Sequence, residues 1–536
     1  MQVRSPYEAF AHQARSRPAS AFLSAPASAE LPYAPEGFRL TYGAFAGAVE
    51  ETAAAYRDAG YGAGLRVGLL LENRPEFFRH WMALNALGIS IVPINPDLKP
   101  DEIAFQLGLA RPALVVALPE RREQVIRSGF PAERIGGPDK APPRAGVDPD
   151  RTGPGADTEC ALLFTSGTSG APKGCILSNR YFLTLADWYV GQGGIAAMAD
   201  GAETVLTPLP LFHMNALACS ALGMIRKGGT LVPIDRFHAS RWWRTVADSG
   251  ATVIHYLGVM PAILLRRAEE AAERTHAVRF GFGAGVDADE KRRFEERFGI
   301  PLVEAWAMTE TGAGAVTTTA RESGPLAPRC IGRPTASTEW RVVADDGADA
   351  PPDVPGELLV RAAGDAPRAG FFSGYLDDAE ATKAAWEGGW FHTGDVVTHD
   401  GAGLLYFFDR KKNVIRRSGE NIAVLEVEAV LARAPEVAAV AVAPVPDPIR
   451  GEEVFAMVVL HPGAMPGSAT AEAIVRGAAE RLSYHKLPGW IAFVEAIPIT
   501  ATQKLRRGEI RAAAERLRDG GTSIDLRDLK GRLRHG

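Results

Sequence analysis

The chain has 536 residues and a net charge of −5, with 46% of its residues hydrophobic and 23% charged. This ordinary globular balance gives no electrostatic footprint for nucleic acid or for an anionic membrane surface, and excludes function classes built on one. The length exceeds what one hydrophobic core serves, so two or more packed units are required.

The N-terminal stretch "MQVRSPYEAFAHQARSRPAS" has no apolar core of a leader, and no run of about 18 apolar residues follows. Cys160, Cys175, Cys219 and Cys330 are far apart and form no CxxC pair. That spacing fits neither a disulfide framework nor a zinc site and predicts reduced thiols in a soluble, unprocessed, cytoplasmic chain.

In chain order, "LRVGLLLEN" predicts a buried strand, "RPEFFRHWMALNALG" an amphipathic helix, and "ISIVPINP" and "ALVVALP" further strands. Alternation of this kind argues for parallel sheets covered by helices. A Pro/Gly/Asp-rich stretch from Gly136 to Asp157 reads as a surface connection. A second α/β run carries "ETVLTPLPLF", "GTLVPID", "ATVIHYLGVMP" and "VRFGFGAG". From about Pro351 the strands become shorter and turn-rich, as in "GELLVRAAG" and "GLLYFFDR", and after "DRKKN" strand and helix patterns return. The final "LRDLKGRLRHG" reads as a solvated basic tail.

Between the two α/β runs stands "LLFTSGTSGAPKGCILSN", Leu162 to Asn179. A short apolar strand leads into a turn of small residues whose backbone N–H groups can surround an oxyanion. Gly167, Gly170 and Gly174 permit close approach, Thr165, Ser166, Thr168 and Ser169 add hydroxyls, and Lys173 adds a positive charge. The string is not GxxxxGK[ST], because proline precedes the lysine and glycine follows it where a magnesium-binding hydroxyl belongs. A bare Gly/Ser/Thr turn would be an ordinary surface loop; this ten-residue string is read as a phosphate loop of another kind.

"TSGTSGAPKG" resembles the signature of the adenylate-forming superfamily, which comprises acyl-CoA synthetases, adenylation domains of peptide synthetases and firefly-type luciferases. The other strings of that family follow in order: "PLFHMNAL" at Pro210, "EAWAMTETG" at Glu304, "GWFHTGDVV" at Gly389, "DRKKNVIRRSGENI" at Asp409 and "ITATQKLRR" at Ile499. The resemblance implies a large α/β N-terminal domain over residues 1–409, with mostly parallel sheets and a small β-barrel-like part. It also implies a small, mobile α+β C-terminal domain over 410–536, hinged near Lys412.

The implied reaction activates a carboxylate with ATP to an acyl-adenylate, releasing pyrophosphate, and then transfers the acyl group to a thiol, releasing AMP. The first step joins an anion to a polyanion, so it calls for charge neutralisation and positioning rather than a base. By resemblance, the loop from Thr165 to Lys173 holds the β- and γ-phosphates. Thr309 suits the α-phosphate, and Glu310 suits Mg2+ through oxygen. Trp306 takes the aromatic place that stacks on adenine, where the family more often has Tyr-Gly in place of Trp306-Ala307. Gly283 and Ala284 let adenine and acyl group approach the backbone, and Asp395 and Arg410 are the ribose contacts. Gly419 lines the pantetheine tunnel. Lys504 bridges carboxylate and α-phosphate, although Gln503 replaces the usual glycine before it.

His213 is expected beside the acyl carbon. Relatives that activate amino acids usually carry aspartate there, so the substrate is expected to be another kind of carboxylic acid. The expected cofactors are ATP, Mg2+ and CoA, and the nearest relatives are fatty-acid and crotonobetaine/carnitine-type CoA ligases. The alternatives are an enzyme that loads a carrier-protein phosphopantetheine, and a degenerate nucleotide-binding regulator. Val259 and Met260 hint at an apolar acyl pocket.

Overall fold

The computed structural model describes residues 3–146, 149, 153–165, 172–286, 288–322, 326–327, 329–344, 347–354, 356–410, 414–418, 420–498 and 507–533, and within these ranges not the side chains of 288, 408–410, 414, 421, 423, 425, 429, 507 and 508. Three sheets organise them, of thirteen, seven and six strands.

The thirteen-stranded sheet has a parallel heart running Leu302–Trp306, Phe280–Ala284, Val253–Leu257, Thr204–Thr207, Thr230–Pro233 and Ala21–Ala25. These are the apolar runs read from the sequence, and they are apolar throughout because helices cover both faces of a parallel sheet. One face packs on Trp242, Trp243, Phe294 and Phe298; the other joins the main core with Phe280, Phe282 and Tyr189. Met260 is buried in the first of these cores, and Val259 packs against it. Beyond Leu302–Trp306 the neighbours turn antiparallel, from Thr317–Thr318 through Cys330–Pro334, Leu405–Arg410, Phe391–His399 and Gly356–Ala362 to Thr338–Val343. This is the turn-rich part of the sequence, and its described strands form an open extension of the large sheet.

The seven-stranded sheet contains Ser90–Pro93, Arg66–Leu70 and Leu114–Ala117 in parallel. The helix Pro75–Ala86 covers it, opening on a proline and burying Phe77, Phe78, Trp81 and Met82. It stops two residues before Gly88, whose φ of 72° is the left-handed turn that ends helices. At the other side Glu159–Thr165 and Lys173–Ser178 form an antiparallel pair, with Gly374–Tyr375 added beyond.

Sheet membership changes between Arg410, in the large sheet, and Val414, in the six-stranded one. The last sheet holds Val414–Arg417, Glu420–Ala423, Val437–Asp447, Gly451–Leu460, Trp490–Phe493 and Ile524–Asp525. It has its own core, built on Ile415, Val427, Val454, Ile474 and Ile491.

The end of the chain departs from the solvated tail expected of "LRDLKGRLRHG". Residues Arg527–Arg532 form a helix that buries Leu526 and Leu529 in that core. Lys530 goes in with them, its Nζ 2.5 Å from Glu453 Oε1 and 2.5 Å from the Leu487 carbonyl. Arg417 meets the same carboxylate at 2.8 Å. The leucines recur at i and i+3, an apolar stripe that the density of charge around them conceals. The four cysteines are free and buried, and no helix among the described residues is long and apolar enough to cross a membrane.

Candidate functional site

The ends of the phosphate-loop string are held by pairing. Thr165 stands opposite Lys173 in the antiparallel ladder between Glu159–Thr165 and Lys173–Ser178, so the chain must reverse between them. Ser166, Gly167, Thr168, Ser169 and Gly170 lie outside the described residues. At the base of the loop, Thr165 Oγ1 donates to Glu310 Oε1 at 3.3 Å and the Tyr375 hydroxyl donates to the same oxygen at 3.0 Å. Lys173 Nζ lies 4.7 Å above the Tyr375 ring and 3.9 Å from Asp378. Thus Thr165 and Tyr375 meet at Glu310, and Lys173 lies against Tyr375.

Glu310 belongs to a tight turn after the Leu302–Trp306 strand. Met308 N–H donates to Thr311 Oγ1 at 3.0 Å, and the Tyr181 hydroxyl donates to the Thr309 carbonyl at 2.8 Å. Thr309 is half-buried beside this pinned backbone. Among the described residues no group of three or more His, Cys, Asp or Glu is poised to hold a metal. The oxygens around Glu310 fit a hard cation such as Mg2+ only in the manner typical of phosphate enzymes, one carboxylate with phosphates and water completing the shell.

Trp306 and Asp395 bond directly, a contact the sequence does not foretell. The indole N–H donates to Asp395 Oδ2 at 2.9 Å, and both side chains are buried. Asp395 is opposite Arg410 in the ladder of Phe391–His399 with Leu405–Arg410; the Arg410 side chain lies outside the described residues. Among the described side chains, the Arg416 guanidinium lies near Asp395, its Nη2 4.0 Å from Oδ1.

Gly283 sits where a Cβ would come within 2.3 Å of the Tyr256 carbonyl, so the position admits glycine only. Ala284 ends that strand exposed, its carbonyl accepting from Gly258 N–H at 3.0 Å. Behind it Glu304 is buried, taking the Tyr256 hydroxyl at 2.6 Å and the Gly285 N–H at 2.8 Å. Burial raises its pKa against those bonds.

His213 is near-surface, its ring tilted 58° to that of Phe212 with centroids 4.6 Å apart. Its Nε2 is 3.9 Å from Glu420 Oε1, and His485 Nε2 is 4.0 Å from Glu420 Oε2. Burial works against the Glu420 carboxylate, but His213, His485 and Lys486 outweigh it and hold the pKa at about 2. Gly419, Lys412 and Lys504 lie outside the described residues. Tyr375, Arg416 and Glu420 are the site residues that the sequence left without a role. Arg416 and Glu420 stand inside the string "DRKKNVIRRSGENI", and only the fold reveals what they touch.

Residues 10–376 match the family described as AMP-binding enzyme, and residues 426–504 match the AMP-binding enzyme C-terminal domain. The chain belongs to the AMP-binding enzyme family. Among curated relatives, this AMP-binding enzyme is 31% identical to a sulfoacetate–CoA ligase from Cupriavidus necator, over 88% of this chain and 92% of that one. It is 30% identical to a crotonobetaine/carnitine–CoA ligase of Salmonella arizonae, over 86% and 91% of the two chains. A solved malonyl-CoA ligase with methylmalonyl-CoA and AMP bound superposes with a TM-score of 0.73 at 27% identity, covering 89% of this chain and 96% of that one. The AMP-binding enzyme is an acyl-CoA synthetase: it joins a carboxylic acid to CoA at the expense of ATP, through an acyl-adenylate.

Proposed function

We propose that the residues gathered around Trp306, Glu310 and Asp395 form the nucleotide site of this ligase, and that the chain from Arg410 onward is a C-terminal domain hinged near Lys412. The observation that carries the proposal is the meeting of Thr165 and Tyr375 at Glu310, with Lys173 over the Tyr375 ring, on the same string whose Trp306 bonds Asp395.

In the first half-reaction a carboxylate oxygen bonds to the α-phosphorus of ATP and the bond to pyrophosphate breaks. The loop and Lys173 neutralise the departing phosphates, Trp306 lies on the adenine, and Asp395 accepts from the ribose hydroxyls. Glu310 would hold Mg2+, which when bound supplies further neutralisation of phosphate charge. Lys504 bridges the two reactants, a compact cation between converging anions. In the second half-reaction the CoA sulfur bonds to the acyl carbon, the acyl–phosphate bond breaks, AMP leaves and the thiol proton passes to water. A CoA thiol near its ordinary pKa of about 8.5 is a few per cent thiolate at neutrality and needs no dedicated base.

His213 orients the acyl carbon for that attack. The contact of Glu420 with His213 supports a thioester-forming orientation of the C-terminal domain in the described arrangement. The acid is not an α-amino acid, since His213 stands where an aspartate would hold an ammonium. Phe212, Met214 and Met308, partly buried along the strings of His213 and Trp306, support an apolar acyl group and a place in fatty-acid metabolism. The four reduced thiols support a cytoplasmic location.

The test is a panel of carboxylic acids assayed for AMP release with and without CoA, beside acid-dependent ATP–pyrophosphate exchange. Exchange together with CoA-dependent AMP release bears the proposal out. Exchange with no acid giving CoA-dependent release would point to a carrier-protein thiol instead, and no exchange with any acid would overturn the site assignment.

A further inference from the structure

The Trp306–Asp395 bond joins two groups that are ordinarily considered separately, the aromatic face under adenine and the carboxylate under ribose. Trp306 ends the parallel strand Leu302–Trp306, and Asp395 lies on the antiparallel strand Phe391–His399. The Asp395 N–H donates to Thr393 Oγ1 at 3.0 Å, and that hydroxyl donates to the Leu358 carbonyl at 2.7 Å. The backbone beneath the carboxylate is therefore fixed, the indole N–H anchors Oδ2 at 2.9 Å, and the Arg416 guanidinium lies 4.0 Å from Oδ1.

The donor of an indole sits on the edge of its five-membered ring, so tryptophan can bond sideways while its six-membered ring remains available to a base. Phenylalanine has no donor, and the hydroxyl of tyrosine projects from the far end of the ring. A carboxylate has about four acceptor positions; the indole takes one on Oδ2 and thereby constrains where the others point. A hydrogen bond to a buried charged group is also stronger than a neutral one.

We propose that Trp306 is a positioning residue for ribose recognition: its indole N–H holds the Asp395 carboxylate in the orientation that accepts the ribose diol, so that one side chain couples base stacking to sugar selection. This rests on the reading that Asp395 takes the ribose and Trp306 the adenine. The coupling makes discrimination between ATP and its 2′-deoxy analogue depend on a residue that touches no ribose hydroxyl.

The experiment compares ATP with 2′-deoxy-ATP in acid-dependent pyrophosphate exchange for the full chain, its Trp306→Phe and Asp395→Asn variants, and the double variant. Loss of one charge-assisted bond corresponds to roughly ten-fold in binding. Trp306→Phe should raise the KM for ATP by about that factor and reduce the preference for ATP over 2′-deoxy-ATP several-fold. In the Asp395→Asn background the same substitution should leave the preference unchanged, because the group it orients is already altered. Equal weakening of both nucleotides by Trp306→Phe would reduce Trp306 to a stacking surface and overturn the proposal. If Asp395→Asn itself leaves the preference at the wild-type value, the ribose assignment fails and the proposal falls with it. Trp306→Tyr, which retains an aromatic ring of similar reach, repeats the comparison should the phenylalanine variant fold poorly.

Discussion

Lys486 Nζ lies 2.7 Å from Glu102 and 2.7 Å from Glu426, so one buried ammonium ties the helix Pro100–Ala110 to the helix Val424–Leu431 of the C-terminal unit. Burial depresses the Lys486 pKa, but the two carboxylates outweigh it and raise the value overall. The same Glu102 accepts the Ser483 N–H at 3.0 Å. These bonds hold the orientation in which Glu420 reaches His213. Glu102→Gln keeps an acceptor and removes the charge. It should slow thioester formation by roughly ten-fold, about 1.4 kcal/mol, while leaving acid-dependent pyrophosphate exchange close to wild type. Rapid-quench measurement of the two half-reactions decides it, and equal slowing of both would show that the tie does not select an orientation.

Lys504 is assigned to the first half-reaction alone. Lys504→Ala should reduce pyrophosphate exchange by about 10²- to 10³-fold, the loss typical of one preorganised electrostatic contact to a developing charge. A supplied acyl-adenylate should still be converted to thioester. Comparable loss of both steps in a well-folded variant would remove Lys504 from that role.

Tyr375 has a smaller but definite part. Its hydroxyl and that of Thr165 meet one oxygen of Glu310, which aims the carboxylate at the base of the loop. Tyr375→Phe removes one of the two bonds, worth about 1 kcal/mol. kcat/KM for ATP should therefore fall several-fold, with a rise in the Mg2+ concentration needed for half-maximal rate. A Mg2+ dependence identical to wild type would show that Glu310 needs no such support.

Stability should decline on mild acidification. Burial holds His80, His255 and His485 at pKa values of about 4, 3 and 4, against an ordinary 6.5. Below pH 6.5 the unfolded chain takes up protons that the folded chain refuses. Folding free energy therefore falls as the pH drops from about 6.5 towards 4, by up to roughly 1.4 kcal/mol per pH unit for each histidine. His255 bonds Tyr189 at 2.6 Å and Ser220 at 2.8 Å. His255→Asn keeps polar groups in place without titrating, so its melting temperature should fall less steeply between pH 7 and pH 5. A wild-type melting temperature flat across that range would contradict the assignment.

Much of this architecture was legible before any coordinates. The apolar runs at Leu65, Ile89, Ala251 and Val278 read as parallel strands because strands buried on both faces have no polar face to conceal them. Thr165, Glu310, Trp306 and Asp395 were legible through ordered strings rather than periodicity. What the strings could not reveal is which side chains touch. That Arg416 faces Asp395, that Tyr375 supports Glu310 and that Glu420 meets His213 depend on strand order and on how the last sheet sits against the rest. The terminal helix is hidden in the sequence for a different reason: Leu526 at its start and Leu529 within it are outnumbered by charges, and Lys530 finds a buried carboxylate 77 positions away in the sequence.

That buried lysine bears on how the protein can be cut. The family match stops at residue 504, a natural place to end a shortened gene. A chain ended there would lose the strand Ile524–Asp525, which pairs with Trp490–Phe493, and would leave Glu453 with Arg417 but without Lys530. Removing one partner from a buried ionic cluster costs about 3–5 kcal/mol, comparable to the whole stability of a small domain. The border of a recognisable sequence pattern is thus not the border of a foldable piece, and the last turn of helix belongs to the machinery it seems merely to follow.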